Sequence, residues 1–178
     1  MIKINFTPFP NLSTERLNLR KMNDEDKNEI FALRSNENVS KYIDRPIAKS
    51  VDEALQYIEM INEGINRNDW ILWAITEKDN DRLIGTICIW NFSKEEAKGE
   101  VGYELSPKYQ GKGIMQEAIT AVTKYGFDRL KLKTIEGYVD QENKKSIQLL
   151  EKNQFIKTGM KEKSEGEKSN SVIYSLKK

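Results

Sequence analysis

The sequence predicts a mixed α/β or α+β domain: a central, mostly antiparallel sheet of about seven strands with helices on both faces. Three observations carry this expectation. Strand-like segments outnumber helical ones, consecutive hairpin strands precede any strand–helix–strand unit, and single helices punctuate the second half of the chain. The resulting order, β-αα-βββ-α-β-α-ββ, is not that of a dinucleotide-binding fold.

Each element has its own warrant. Leu17-Asn18-Leu19 alternates as a short strand does. Asn23 stands before Asp24-Glu25-Asp26 and apolar Ile30, Phe31 and Leu33, a capped helix start whose charges suit the helix dipole. Ser50-Val51-Asp52-Glu53 reads as a capping box, and Val51, Leu55, Ile58, Ile61 and Ile65 keep helical spacing along one stripe. Trp70 to Thr76 and Leu83 to Trp90, joined through Asp79-Asn80-Asp81, read as an antiparallel hairpin. Glu100 to Ser106 alternates again and stops at Pro107. Ala118, Ile119, Val122 and Phe127 mark a helix beginning after Gly113, and Thr134 to Val139 is the next strand. Asn143 opens a helix that turns Ile147 and Leu150 inward, and two closing strands flank the polar stretch from Lys161 to Asn170, read as a hairpin connection.

The chain has 178 residues, of which 44 are Leu, Ile, Val or Phe, so a single domain spanning 1–178 has enough apolar side chains for a core. A formal net charge of +1 supplies no bulk attraction to nucleic acid or anionic lipid, and neither is expected as a partner. No apolar run approaches membrane-spanning length, the first residues lack the apolar core of a signal peptide, and the one cysteine suits a reducing compartment; a cytoplasmic protein is expected. The absence of histidine excludes Ser-His-Asp and Cys-His nucleophile systems and imidazole metal sites, and no metal is expected. Proton transfer near neutral pH therefore falls to carboxylates, Tyr, Lys, the lone thiol or water.

The strongest chemical signal is Gln110-Gly111-Lys112-Gly113-Ile114-Met115, where a strand stopped by proline meets two glycines and then a helix. Glycines let backbone N–H groups turn inward, and a helix N-terminus adds unpaired donors and a partial positive charge, which together can cradle a pyrophosphate. The spacing is neither that of a Walker A loop nor G-x-G-x-x-G. Taken alone, the segment reads equally as a plain strand-to-helix turn.

In its context the segment resembles the Q/R-x-x-G-x-G/A motif of the GNAT superfamily of acyl-CoA-dependent N-acyltransferases. Asn143-Lys144-Lys145-Ser146 with Leu149, Leu150 and Phe155 resembles that family's later N-x-x-S/A…L…G-F helix. Thr14-Glu15-Arg16-Leu17-Asn18-Leu19-Arg20 and Ile84-Gly85-Thr86 resemble strands of its Rim-type branch, which includes ribosomal-protein N-terminal acetyltransferases. The likeness covers nearly the whole chain in the right order. Two positions depart from it: Met115 stands where Gly or Ala is usual, and Gln154 where the Gly of G-F is usual.

The resemblance implies acetyl-CoA as co-substrate, with its pyrophosphate on the N–H groups of Gln110, Gly111, Lys112, Gly113, Ile114 and Met115. It implies a splay between the strands at Glu100–Ser106 and Thr134–Val139. There the pantetheine arm would bond to backbone near Tyr103 and Leu105, and a backbone N–H would stabilise the oxyanion. A primary amine (a protein N-terminus, a polyamine or another small amine) would attack the thioester directly. Glu100 is the first candidate for the base, read alternatively as a solvated strand-end carboxylate; Glu104 shares its strand face with a weaker claim. Leu150 occupies the position of the family's acidic Tyr, so Ser146 is the candidate proton donor, read equally as a hydroxyl bonding back to its helix. Asn143 reads as both helix cap and pantetheine contact. Lys144 and Lys145 read as a solvated helix start, Cys88 as a small buried hydrophobe, and Trp70, Trp73 and Trp90 as core. The acceptor pocket is expected around Asn36 to Pro46, where Glu37 and Asp44 are acidic, and beside the last hairpin. A non-catalytic acyl-CoA-binding module or sensor is the alternative, and either a monomer or a homodimer is compatible.

Overall fold

A computed structural model describes residues 2–163 and 170–178. Its strands are β1 (Leu12–Ser13), β2 (Leu17–Arg20), β3 (Ile71–Glu77), β4 (Asn80–Ser93), β5 (Lys98–Leu105), β6 (Thr134–Asp140), β7 (Ile156–Lys161) and β8 (Ser171–Lys177). Its helices are α1 (Lys27–Arg34), α2 (Glu37–Ser40), α3 (Val51–Arg67), α4 (Ile114–Asp128) and α5 (Lys144–Lys152). The strands form one sheet in the order β1-β2-β3-β4-β5-β6-β8-β7. All neighbours are antiparallel except β5 and β6, which run parallel. The sheet has eight strands rather than seven because Leu12 and Ser13 pair with Leu19 and Asn18, a two-residue ladder too short to show periodicity. The closing hairpin forms between β7 and β8; residues 164–169 of its polar connection lie outside the described residues.

Local chemistry sets the helix starts. Asn23 accepts the Glu25 N–H at 2.9 Å, while the buried Asp26 carboxylate accepts the Asn23 N–H at 3.0 Å and is gripped by Arg20 at 2.8 Å. At α3 the box is half formed. Ser50 Oγ accepts the Glu53 N–H at 3.2 Å, but the Glu53 carboxylate turns to the Lys49 N–H at 2.9 Å instead of that of Ser50. The buried stripe of α3 is Ala54, Ile58, Ile61, Gly64 and Ile65; Val51 and Leu55 lie at its half-buried margin.

Successive strand residues point to opposite faces, which assigns the helices. Gly126 of α4 sits against Ile89 and Ile135, and Leu150 of α5 against Gly137, so α4 and α5 cover the Ile89 side. Residues of the α1–α3 region meet the other side at Glu104, which shares its face with Cys88 through the cross-strand pairs Thr86↔Glu104 and Cys88↔Gly102. Helices therefore lie on both faces.

Gly85 fills a point where β4 and β5 approach closely. A Cβ there would lie 2.5 Å from the Glu104 carbonyl oxygen and 3.1 Å from the Leu105 Cα, backbone atoms that cannot swing aside. Gly85→Ala is expected to lower the unfolding free energy by about 2–3 kcal/mol, read as a left-shifted urea midpoint and a Tm several degrees lower. A wild-type midpoint would show that the ladder absorbs the methyl.

Candidate active site

The sheet opens at its one parallel junction. β5 and β6 pair at Lys98↔Thr134, Gly99↔Ile135 and Glu100↔Glu136, and among the described residues the pairing stops there. β5 continues to Leu105 against β4, and β6 to Asp140 against β8. Leu150 of α5 packs over Gly137 and toward Val101, covering the opening from the Ile89 side. Backbone polar groups of β5 from Val101 to Leu105 thus line a gap on one edge, available to a strand-like ligand.

The gap leads to the glycine loop. Gly111 and Gly113 both hold φ +76°, a left-handed conformation that strains any residue with a Cβ. The first intrahelical bond of α4 runs from the Glu117 N–H to the Gly113 oxygen at 3.1 Å, which leaves the amides of Ile114, Met115 and Gln116 without intrahelical acceptors. The Ile114 and Met115 side chains are 4% and 6% exposed and belong to the core. The bulk of Met115 therefore points away from the loop's outer side. Gln110 plays a different part from the one its position suggested. Its N–H donates to the Pro107 oxygen at 3.3 Å and its Nε2 to the Leu105 oxygen at 3.1 Å, so it shapes the turn and the donor set begins at Gly111.

A clamp from the first strand region holds this loop. Arg16 Nη1 donates to the Lys112 oxygen at 3.0 Å, and the Glu117 carboxylate accepts the Arg16 N–H at 2.8 Å, Arg16 Nε at 2.6 Å and the Thr14 hydroxyl. Burial alone would raise the Glu117 carboxyl, but the Thr14 and Arg16 hydrogen bonds outweigh it and hold the group below the usual carboxylate range. Lys112 is exposed beside the Tyr109 ring, and the space around Gly111 is open. Free amides, two left-handed glycines and the nearby cations Arg16 and Lys112 fit a diphosphate. An open groove of about 500 Å³, lined by Arg16, Gly113, Gln116 and Lys124 among others, starts beside the loop. A second, of about 420 Å³ between α4 and α5, lies away from the gap, and its Lys124 and Lys178 are both paired with Asp128.

At the far side of the gap, Asn143 accepts the Ser146 N–H at 3.2 Å, which is its cap. Ser146 Oγ lies 2.7 Å from the Tyr103 hydroxyl, a hydrogen bond joining β5 to α5. Burial pushes the Tyr103 phenol up to about 12, so it keeps its proton at neutral pH. The turn after α5 keeps a left-handed φ of +65° at Gln154, despite the missing glycine. Lys144 Nζ donates to the Gln141 oxygen at 2.9 Å, and Lys145 is exposed.

On the opposite face, β5 is unbulged from Glu100 to Leu105, so Glu100, Gly102 and Glu104 point the same way. The two carboxylates have different surroundings. Glu104 pairs with Arg45 at 2.7 Å, with 13% and 11% of the two side chains exposed. Among the described residues Glu100 accepts one bond, from Asn91 Nδ2 at 3.3 Å; burial, with Glu136 adding to it, raises its carboxyl above the usual range against the pull of Asn91 and Lys161. Between them Gly102 leaves a hollow beneath the Trp90 indole nitrogen and the Cys88 thiol, 3.8 and 3.1 Å from where a Cβ would stand. Burial pushes that thiol up to about 12, so Cys88 stays neutral. Trp73 is fully buried and Trp70 packs on Gly64, whereas Trp90 is 44% exposed on this face and departs from the core expectation. Glu37 and Asp44 are exposed; the charged groups drawn to the β5 face are Arg34 and Arg45, which no local sequence pattern marks.

A family model described as an acetyltransferase (GNAT) domain matches residues 16–156. This chain belongs to the GNAT acetyltransferase family. The GNAT chain is 35% identical over 152 residues to the uncharacterised N-acetyltransferase YoaA of Bacillus subtilis, covering 85% of this chain and 86% of YoaA. A GNAT-family acetyltransferase structure from Bacillus anthracis superposes with a TM-score of 0.83 at 25% identity, covering 94% of this chain and 98% of that one. The ribosomal α-N-protein acetyltransferase RimL, solved with coenzyme A, shares the fold at a TM-score of 0.83 and 16% identity, covering 94% and 98% of the two chains. Among the described residues, no helix of this GNAT protein is long and apolar enough to cross a membrane.

Proposed function

We propose that this acetyltransferase moves an acetyl group from acetyl-CoA to a primary amine by direct attack of the amine on the thioester. The observation that carries the reading is the gap between β5 and β6 opening onto the glycine loop, a strand-shaped slot ending in a diphosphate-shaped cradle. The amides from Gly111 to Gln116, with Arg16 and Lys112, hold the diphosphate, and the open β5 backbone near Tyr103 and Leu105 aligns the pantetheine arm as an added strand. Acetyl-CoA supplies the activated acyl group.

The chain's own residues divide the remaining work. Glu100, raised by burial and free of a cation at hydrogen-bond range among the described residues, takes the proton from the incoming ammonium. A β5 N–H in the gap stabilises charge on the carbonyl oxygen. Ser146, paired with the protonated Tyr103, donates to the departing sulfur from the α5 side, where Leu150 carries no proton. Holding both reactants at one junction supplies much of the acceleration. RimL, by its name, acts on a ribosomal protein α-amine; for this chain a protein N-terminus, a polyamine and a small amine all belong to the acceptor class.

The test has two readouts. Acetyl-CoA at one hundred times its Kd is expected to stabilise the fold by about 2.7 kcal/mol, seen as a rise in Tm. Thiol release is then followed with peptide N-termini, spermidine and small monoamines. No rise in Tm at millimolar acetyl-CoA sinks the cradle. Binding without thiol release from any amine class makes the protein an acyl-CoA-binding module instead.

A further inference from the structure

Two arginines and one carboxylate meet on the acceptor side of β5. Arg45 donates Nη2 to Glu104 at 2.7 Å and Nη1 to the Arg34 backbone oxygen at 3.2 Å, and the Ala48 N–H reaches the same oxygen at 3.2 Å. The segment after α2 is thereby laced onto the end of α1, beside the Arg34 side chain. The Arg34 guanidinium lies 3.8 Å from the centre of the Tyr57 ring, and among the described residues no carboxylate pairs with it. Among the described residues Arg45 Nε is buried without a partner. Two guanidiniums thus share the one carboxylate of Glu104, which pairs directly with Arg45. Burial, with the neighbouring Arg45 adding to it, disfavours the Arg34 cation more than Tyr57 and Glu104 favour it.

We propose that the acceptor amine carries an acidic group, a carboxylate or a phosphate, and that Arg34 binds it. This rests on the acetyltransferase reading and deepens it. A planar guanidinium fixed on an aromatic face presents its N–H edge in a set direction, which suits a two-oxygen acid. The Gly102 hollow, where the amine meets the gap, is two residues from Glu104 on the same face, about 7 Å along the strand. Arg34 feels the charge of Glu104, so an acid held by Arg34 would stand several bonds from a nitrogen at the hollow, which favours an ω-amino acid, a short acidic peptide or an amino phosphate over a polycation. Spermidine would bring positive charge against Arg34 at that distance.

The test compares matched acceptors by thiol release: ω-amino acids of increasing chain length against their amides, and O-phosphoethanolamine against ethanolamine, with spermidine alongside. Acids are expected to exceed their neutral partners in kcat/KM by about tenfold or more, because a site built for a charged hydrogen bond rejects the analogue lacking it. The first set and the second distinguish carboxylate from phosphate. Arg34→Gln is expected to erase the preference by raising KM for the acids with little change in kcat, and Arg34→Lys to keep part of it. Acetyl-CoA affinity, measured by calorimetry on each folded variant, is expected to stay at the wild-type value. Equal rates for acids and amides, preference for spermidine, equal loss for acid and amide in Arg34→Gln, or inert acids alongside intact acetyl-CoA binding would each overturn the inference while leaving the cradle standing. Absence of acetyl-CoA binding would remove the transferase reading and this inference together.

Discussion

Gly113→Val lowers the affinity for acetyl-CoA by about tenfold or more, measured by calorimetry, while the protein stays folded. Gly113 holds φ +76° immediately before α4, and a β-branched residue cannot sit there without strain. In the free variant the loop relaxes; binding must restore the left-handed turn at about 1–2 kcal/mol. A loop that stays relaxed in the complex instead forfeits charge-assisted hydrogen bonds worth about 1.5–3 kcal/mol. Either route costs about 1.5–2 kcal/mol, which corresponds to about 10- to 30-fold. The added Cβ stands 3.4 Å from Arg16 Nη2, an ordinary van der Waals contact that leaves the clamp in place, so the damage is confined to the backbone of the loop. Gly113→Asn tolerates the left-handed region and should retain much more affinity. Wild-type binding by the valine variant would mean that the amides of this turn do not contact the ligand.

Glu100→Gln cuts turnover by about 100-fold or more at neutral pH, the range for loss of a general base. The loss shrinks as pH approaches the pKa of the amine, because free amine needs no base. In the wild type, activity rises with pH as Glu100 gives up its proton, with a midpoint above the usual carboxylate value because burial raises it. The same burial makes a stability prediction of opposite sign. A carboxyl raised on folding contributes stability below its unfolded pKa, and that contribution is lost as pH rises through the folded pKa. At pH 8 the charged group therefore burdens the fold, and Gln removes the burden. Glu100→Gln should show lower kcat with an unchanged or higher Tm. A lower Tm would mean that the charged group does not burden the fold, and a pH profile parallel to wild type would take the proton-accepting role away from Glu100.

Much of the fold was legible because its signals are local. The Asn23 cap, the α3 stripe, the β3–β4 hairpin and the glycines before α4 each depend on neighbours within a few residues, and each appears where the pattern placed it. The half-formed box at Ser50 marks the limit of such reading, since Glu53 had two amides within reach and took that of Lys49. Gln110 is similar. Its motif position suggested a donor, but a turn bond to Pro107 uses that N–H. Arg16, by contrast, lies in the first-strand motif, whose local pattern marks no task for it. Its partners Lys112 and Glu117 lie about a hundred positions away in the chain, beyond any periodicity.

The sequence by itself determined the order of elements, the exclusion of histidine chemistry and the presence of a glycine loop at a helix start, because these follow from residue type and short-range spacing. The tertiary structure decided which of the two carboxylates on β5 is neutralised and which is raised, that the Tyr103 and Ser146 hydroxyls meet in a hydrogen bond, and that Arg34 and Arg45 gather at the Glu104 face of the sheet. Those outcomes depend on desolvation and on charges brought together from distant parts of the chain, and both arise when the sheet and its two helical layers close around them.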